Sequence, residues 1–241
     1  MAAGIVIVPS LFNGPPDSAH GGYLAGVLAG RIAPPGTAVA VTLRSRPPLE
    51  KPMRLIATDD GARLLLGDVL VAEAVETAMD GVEPPAAVSL ETARRAEERY
   101  PGNKRHPFPS CFACGPARGG REGMHLYAGP LDGDATVTAC SWIPDPSLAL
   151  LDGGQVRPEF VWAALDCPGA WTIALEDRAV VLGRITARVL SAPSPGEPCV
   201  VVGRLSWGKG RKFATGTAAY GADGRLLGLA ESLWIEVSAH Y

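Results

Sequence analysis

Two segments carry residue types that together could do chemistry, one offering helix-start donors and the other a buried acid. His20-Gly21-Gly22 stands at the head of an apolar run, GYLAGVLAGRI over 22–32. The first N–H groups of a helix have no intrahelical acceptor and lie at its positive end. A helix beginning here would therefore turn open donors toward negative charge developing on a carbonyl oxygen. Glycine at that point lets a carbonyl approach the backbone closely. The second segment is ALDCPGAW, which sets Asp166 among apolar neighbours. Burial there should raise its pKa and its basicity, so that it could activate water or attack carbon directly.

Other residues have simpler roles open to them. Asp166 could instead cap backbone groups beside the Pro168-Gly169 break, and Gly21 could serve helix packing alone. His20 could simply hold the loop before the helix. Cys167 is a thiol with no base apparent in the sequence and reads as a buried, inert group. Glu159 reads as a first-turn glutamate that stabilises a helix end. Cys111 and Cys114 form one CxxC, and His106 and His125 are near in sequence. Such ligands could hold zinc, but no matched second pair follows, so neither a metal nor a cofactor is expected.

The elements that must position these residues are mostly strands. Short β-rich runs at 5–8, 38–44, 53–58, 63–66 and 69–74 are separated by turn residues. The 22–32 run breaks that pattern: it is apolar nearly all round, so as a helix it would be buried. Residues 84–110 change character, with LETARRAEERY between Pro-rich punctuations; they read as a linker holding one exposed helix. The second half repeats the order, with a strand at 135–143 and a helix from 158 interrupted at Pro168-Gly169. Strands follow at 179–190, 198–207, 213–221 and 226–237. VTLRSRPPLEKPMRLI overlays ITARVLSAPSPGEPCVVVGRL, and the Asp60-Gly61 turn with LLLGDVLVAEA overlays Asp223-Gly224 with RLLGLAESLWIEV. The order common to both halves predicts a tandem repeat, with units at 1–83 and 111–241 joined by 84–110.

The totals narrow the class. Hydrophobic residues at 47% and charged residues at 20% are the balance of a folded domain. A net charge of −3 argues against a dedicated nucleic-acid binder. No apolar run is long enough to span a membrane, and residues 1–10 lack the basic lead of a signal peptide. Five cysteines without an export signal point to free thiols in a reducing cytoplasm.

His20-Gly21-Gly22-Tyr23-Leu24 resembles the HGG start of the central helix in hotdog thioesterases. Cys111-Phe112-Ala113-Cys114-Gly115-Pro116, followed by Gly123-Met124-His125-Leu126, resembles a CFxCGP…GL segment that often opens a hotdog domain in thioesterase-like proteins. The resemblance implies an α+β double hotdog, with two central helices each wrapped by a curved antiparallel sheet. It implies hydrolysis of an acyl thioester carried on coenzyme A or an acyl-carrier protein. In that family a carboxylate lies nine residues after the histidine. Here that place in the first half is Ala29, and nine residues before Asp166 stands Arg157-Pro158-Glu159. Each half has kept what the other lost. Nine helical residues span about 13 Å, so the acid can serve only a thioester held at the start of the neighbouring helix.

The catalytic set implied is Asp166, Gly21, Gly22, His20 and Asn13, the last seven residues before His20. Tyr23 and Trp162 are expected along the acyl group. Lys209 and Arg211, in the glycine-broken turn WGKGRK, are expected at coenzyme A phosphates. A tandem chain contains its own pseudo-dimer, and further self-association stays open to it. Two other functions compete. A hotdog dehydratase or hydratase pairs an Asp with a His five residues on, where this sequence has Trp171. A non-hydrolytic acyl or small-ligand binding module would need only the pocket.

Overall fold

The computed structural model describes residues 4–120, 122–150 and 154–238. The first half contains β1 (Gly4–Val6), helix α1 (Gly21–Ile32), β2 (Ala38–Leu43), β3 (Met53–Ala57), β4 (Gly61–Leu66) and β5 (Val69–Thr77). Then come α2 (Leu90–Glu97), β6 (Gly129–Leu131) and β7 (Asp134–Trp142). The second half continues with α3 (Pro158–Ala164), α4 (Cys167–Ala170), β8 (Ala179–Val189), β9 (Cys199–Lys209), β10 (Lys212–Tyr220) and β11 (Leu226–Val237).

The eleven strands among the described residues lie in one sheet, ordered β1-β3-β4-β5-β2-β8-β11-β10-β9-β7-β6. Every pairing is antiparallel. The halves join at the centre, where β2 pairs with β8 from Val39↔Ala187 to Thr42↔Arg184. Reading outward from that seam, β2-β5-β4-β3-β1 mirrors β8-β11-β10-β9-β7. This is the double hotdog: one repeated unit on each side of a pseudo-twofold, with its helix against its own part of the sheet.

The two central helices run antiparallel and unusually close. Glycine makes the approach possible. A Cβ on Gly22 would lie 2.7 Å from the Asp166 Cβ, and one on Gly26 would lie 2.6 Å from the Glu159 Cα. So the start of α1 meets the end of α3, and its middle meets the start of α3. Helix α3 opens on Pro158, whose missing N–H costs nothing in a first turn. It stops before Asp166, because the Pro168 ring would collide with the carbonyl four residues back. An aromatic cluster locks this centre: Phe12 stacks on Tyr23 at 4.3 Å between centroids and meets Phe112 edge-on at 4.9 Å. Among the described residues, no helix is long and apolar enough to cross a membrane.

Three expectations need correction. The two Asp-Gly turns are not equivalent: Gly61 opens β4 after β3, whereas Asp223-Gly224 joins β10 to β11. The counterpart of the latter is the Gly67-Asp68 turn between β4 and β5. Turn chemistry marks a hairpin but does not say which hairpin. Second, α2 is not merely an exposed linker helix. Ala93 and Ala96 are fully buried with Ala139 and Val202, and Gly129 leaves room for the Ala96 carbonyl. Third, β6 was not anticipated, because three residues with a central proline give no alternating pattern.

Candidate active site at the crossing of the central helices

His20 adopts extended backbone and caps α1, its Nδ1 accepting the Tyr23 N–H at 3.2 Å. Its own N–H donates to the Phe12 carbonyl at 2.8 Å, which fixes the loop that enters the helix. Gly21 is the first residue of α1 and, in that position, has no intrahelical acceptor for its N–H. The Gly22 N–H donates to Asp166 Oδ2 at 2.6 Å. The same oxygen lies 3.4 Å from His20 Nδ1. The second carboxylate oxygen, Oδ1, is buried and has no hydrogen-bond partner among the described residues. Asp166 precedes α4 but makes no capping bond to it, so the capping role open to it in the sequence is not the one its side chain plays.

Asp166 is 3% exposed. Burial raises its pKa, and this outweighs the opposing pull of His20 and of the Gly22 N–H. Burial lowers the pKa of His20, but the nearby Asp166 carboxylate and Cys111 reverse that, and the net direction is upward.

His20, Gly21 and Asp166 line a cavity of about 250 Å³. Its walls include Leu43, Leu175, Leu182 and Trp234, with Arg44 and Arg46 also lining it. Arg44 pairs with Glu73 at 2.8 Å. The sequence reading missed both arginines. Their signal was the RSR that directly follows β2, hidden because it sits before Pro-Pro in a connection between strands.

The fold does not bring the remaining expected residues to this cavity. Asn13 is buried, but its amide is consumed: Nδ2 donates to the Gly14 carbonyl at 3.1 Å and Ser110 Oγ at 3.3 Å, while Oδ1 accepts from Arg118. It ties the loop before α1 to the 110–118 segment. Tyr23 turns its ring into the Phe12–Phe112–Phe160 cluster, 5.6 Å from Phe160, because its helical position faces the core. Trp162 lines a different hollow, beside Ala29 and Glu159. Lys209 and Arg211 lie at the exposed β9–β10 hairpin tip, where the Arg211 Nε donates to the Glu236 carbonyl at 3.0 Å. That tip is nevertheless close, since Lys212 pairs with Ile235, a cavity residue. Of the five tryptophans, Trp234 alone is among the residues lining the cavity.

No family model and no curated protein matches this sequence. Solved structures do match over nearly the whole chain. One is a protein of unknown function with a hot dog fold from Alicyclobacillus acidocaldarius, at 13% identity and a TM-score of 0.63, covering 98% of this chain and 93% of that one. The tesB protein of Mycobacterium avium subsp. paratuberculosis has 10% identity, a TM-score of 0.63 and the same coverage. A candidate thioesterase II from Thermobifida fusca has 15% identity and a TM-score of 0.61, again covering 98% and 93%. Likeness at such identities concerns architecture, and by it, as by its own strand order, this chain has the hotdog fold built twice in one polypeptide.

Proposed function

We propose that this chain hydrolyses an acyl thioester, carried on coenzyme A or an acyl-carrier protein, at one site shared by its two halves. The observation that carries the proposal is the Asp166–Gly22 contact. A buried carboxylate from the second half touches the glycine helix start of the first, with one oxygen unpartnered, inside a mainly apolar cavity. The thioesterase names of the full-length structural relatives agree with it.

The roles follow from the contacts. The Gly21 N–H faces the thioester carbonyl oxygen and stabilises the charge that grows there. Asp166 Oδ1 takes a proton from water as that water adds to the carbonyl carbon. The tetrahedral adduct then expels the thiolate, which takes up the proton and leaves as free thiol; the acyl group leaves as a carboxylic acid. The Gly22 N–H is already engaged with Asp166, so Gly22 positions the base instead of binding the oxyanion. His20 caps the helix start through Nδ1, and its ring lies against the carboxylate. Arg44 and Arg46 are the cations nearest the cavity for the phosphates of the carrier, ahead of Lys209 and Arg211.

The test is a panel of acyl-CoA and acyl-carrier-protein substrates, followed by release of free thiol, with binding measured in parallel. Hydrolysis by the wild-type chain that is lost in Asp166→Asn supports the proposal. Binding without turnover across the panel leaves the non-hydrolytic binding module as the function.

A further inference from the structure

The hydrolytic roles leave unused a group of thiols beside Asp166. Cys111, Cys114 and Cys167 are all free and buried. The Cys111 and Cys114 sulfurs are 3.6 Å apart, and those of Cys111 and Cys167 are 3.9 Å apart. His20 Nε2 lies 3.2 Å from the Cys167 sulfur. The ligand atoms of His20, Cys111 and Cys167 are all within 4.8 Å of one another. Three separate pieces of chain supply this group: the cap of α1, the CxxC turn and the first residue of α4.

We propose that His20, Cys111 and Cys167, whose ligand atoms already converge, bind one soft divalent transition-metal ion with Cys114, 3.6 Å from Cys111, drawn in as the fourth ligand, and with zinc the ion this donor set favours. Soft thiolates with imidazole are the donors of tetrahedral zinc centres. Zinc–sulfur bonds of about 2.3 Å and zinc–nitrogen bonds of about 2.0–2.1 Å place tetrahedral ligands about 3.8 Å apart for two sulfurs and about 3.6 Å for sulfur and nitrogen. The two sulfur separations that involve Cys111, 3.6 and 3.9 Å, match that figure and are far from the roughly 2.05 Å of a disulfide, whereas Cys114 stands outside the converged group of His20, Cys111 and Cys167 and must move toward it on binding. The His20–Cys167 separation is shorter by a few tenths of an ångström.

The surroundings distinguish this from three thiols packed as small apolar groups. His106 Nδ1 accepts the Phe108 N–H at 2.9 Å, so its Nε2 carries the proton and points it at the Cys114 sulfur, 3.4 Å away. A donor aimed at a sulfur is the outer support that a metal-bound thiolate uses. His20 has the other common support, a carboxylate beside its second nitrogen: Asp166 Oδ2 lies 3.4 Å from Nδ1. With metal bound, Nδ1 carries the proton and donates it to Asp166, the Tyr23 N–H contact is given up, and the Nε2 lone pair faces the ion. The three thiols release their protons on binding.

There is also a structural need. The described residues between 104 and 128 form no helix or strand, yet Cys111, Phe112, Ala113 and Cys114 are buried in the centre of the molecule. A metal joining this segment to the starts of α1 and α4 would add a cross-link to the Phe112 N–H bond to the Asn13 carbonyl, which ties the segment to the loop before α1 alone. With Cys114 drawn in beside the three converged ligands, four protein ligands would close the coordination sphere, which is the pattern of a structural ion. The sequence pairs the CxxC with His106 and His125, but His125 is turned to Tyr127 and the Gly120 carbonyl. Cys167, 56 residues from Cys111, completes the set instead. This inference does not depend on thioester hydrolysis.

The test uses the full-length protein, reduced, stripped with a strong chelator and titrated with cobalt(II), then zinc. Before titration, all five thiols are counted as free in denaturant. The expected result is one cobalt per chain, with the intense visible bands of a tetrahedral ion and near-ultraviolet thiolate-to-cobalt absorption, displaced by one equivalent of zinc. Cys114→Ser should weaken the thiolate absorption, and His106→Ala should keep the tetrahedral spectrum but lose about 10–100-fold in zinc affinity. Failure of the fully reduced wild-type protein to take up either ion would overturn the proposal. So would cobalt uptake without thiolate absorption, or an unchanged spectrum in a folded Cys114→Ser protein.

Discussion

The two ends of the central helix crossing are related by the pseudo-twofold, yet they are chemically unlike. At one end Asp166 meets Gly22, next to Gly21 at the open start of α1. At the other, Ala29 of α1 stands where an acid would be, across from Pro158 and Glu159 of α3. Pro158 has no N–H to offer. Glu159 lies 3.5 Å from Arg157, which also covers the Phe160 ring at 4.6 Å, so the charges there satisfy each other. The hollow at this second end is the larger, about 410 Å³ against about 250 Å³. Volume therefore does not mark the site. What marks it is a buried acid held through one oxygen by the start of a helix, with its second oxygen unpartnered among the described residues. Because the helices are antiparallel, the hydrolysis proposed above needs only one acid and one glycine start, and it makes no demand on the other pair.

The sharpest way to break the comparison is Asp166→Asn. The amide keeps the shape and can still accept the Gly22 N–H, but it cannot take a proton. Turnover should fall by about 10²–10⁴-fold, the range for a positioned acid–base group, with circular dichroism and substrate affinity little changed. Near-normal turnover by the folded variant would remove Asp166 from the mechanism. Mixing this variant with a Gly21 variant should restore nothing, since both parts of the site come from one chain; recovered activity would mean that sites form between chains.

Ala29→Asp tests the opposite end. Ala29 is 7% exposed, and the new acid would find no N–H on Pro158. A loss of about 2–3 kcal/mol is expected for an unpartnered buried carboxyl, read from denaturant unfolding. In the Asp166→Asn background the change should bring back no hydrolysis; if it did, the second end would be a dormant site, not a lost one.

Two glycines of the same helix give the smaller effects. Gly26→Ala would drive a Cβ to 2.6 Å from the Glu159 backbone, which cannot rotate away, and should cost about 1–3 kcal/mol by overpacking. Gly30 has nothing within 4 Å of an added Cβ. Gly30→Ala should therefore stabilise the protein by about 0.5–1 kcal/mol, the helix-propensity difference alone. Thermal melts that moved both variants the same way would contradict the close crossing.

Local pattern was enough for much of this molecule. The apolar glycine-rich run could only be a buried helix, and α1 covers it. The β-rich runs at 38–44 and 179–190 became β2 and β8, because alternation and turn residues act within a few positions. The break at Pro168-Gly169 was legible for the same reason. Proline and glycine act on their own backbone, wherever the chain lies in space.

What distance in the chain separates, only the tertiary structure could join. The spacing from Asn13 to His20 could not show that the Asn13 amide is spent on Ser110 and Arg118, 97 and 105 residues away. No spacing rule connects Cys167 to the CxxC, and none assigns the two Asp-Gly turns to different hairpins. The site itself depends on the antiparallel crossing, which sets Asp166 against Gly22 across 144 residues. Residue types supplied the acid, the donors and the thiols. The packing of two helices through their glycines decided which of them touch, because contact depends on where backbones cross and not on how far apart residues stand in sequence.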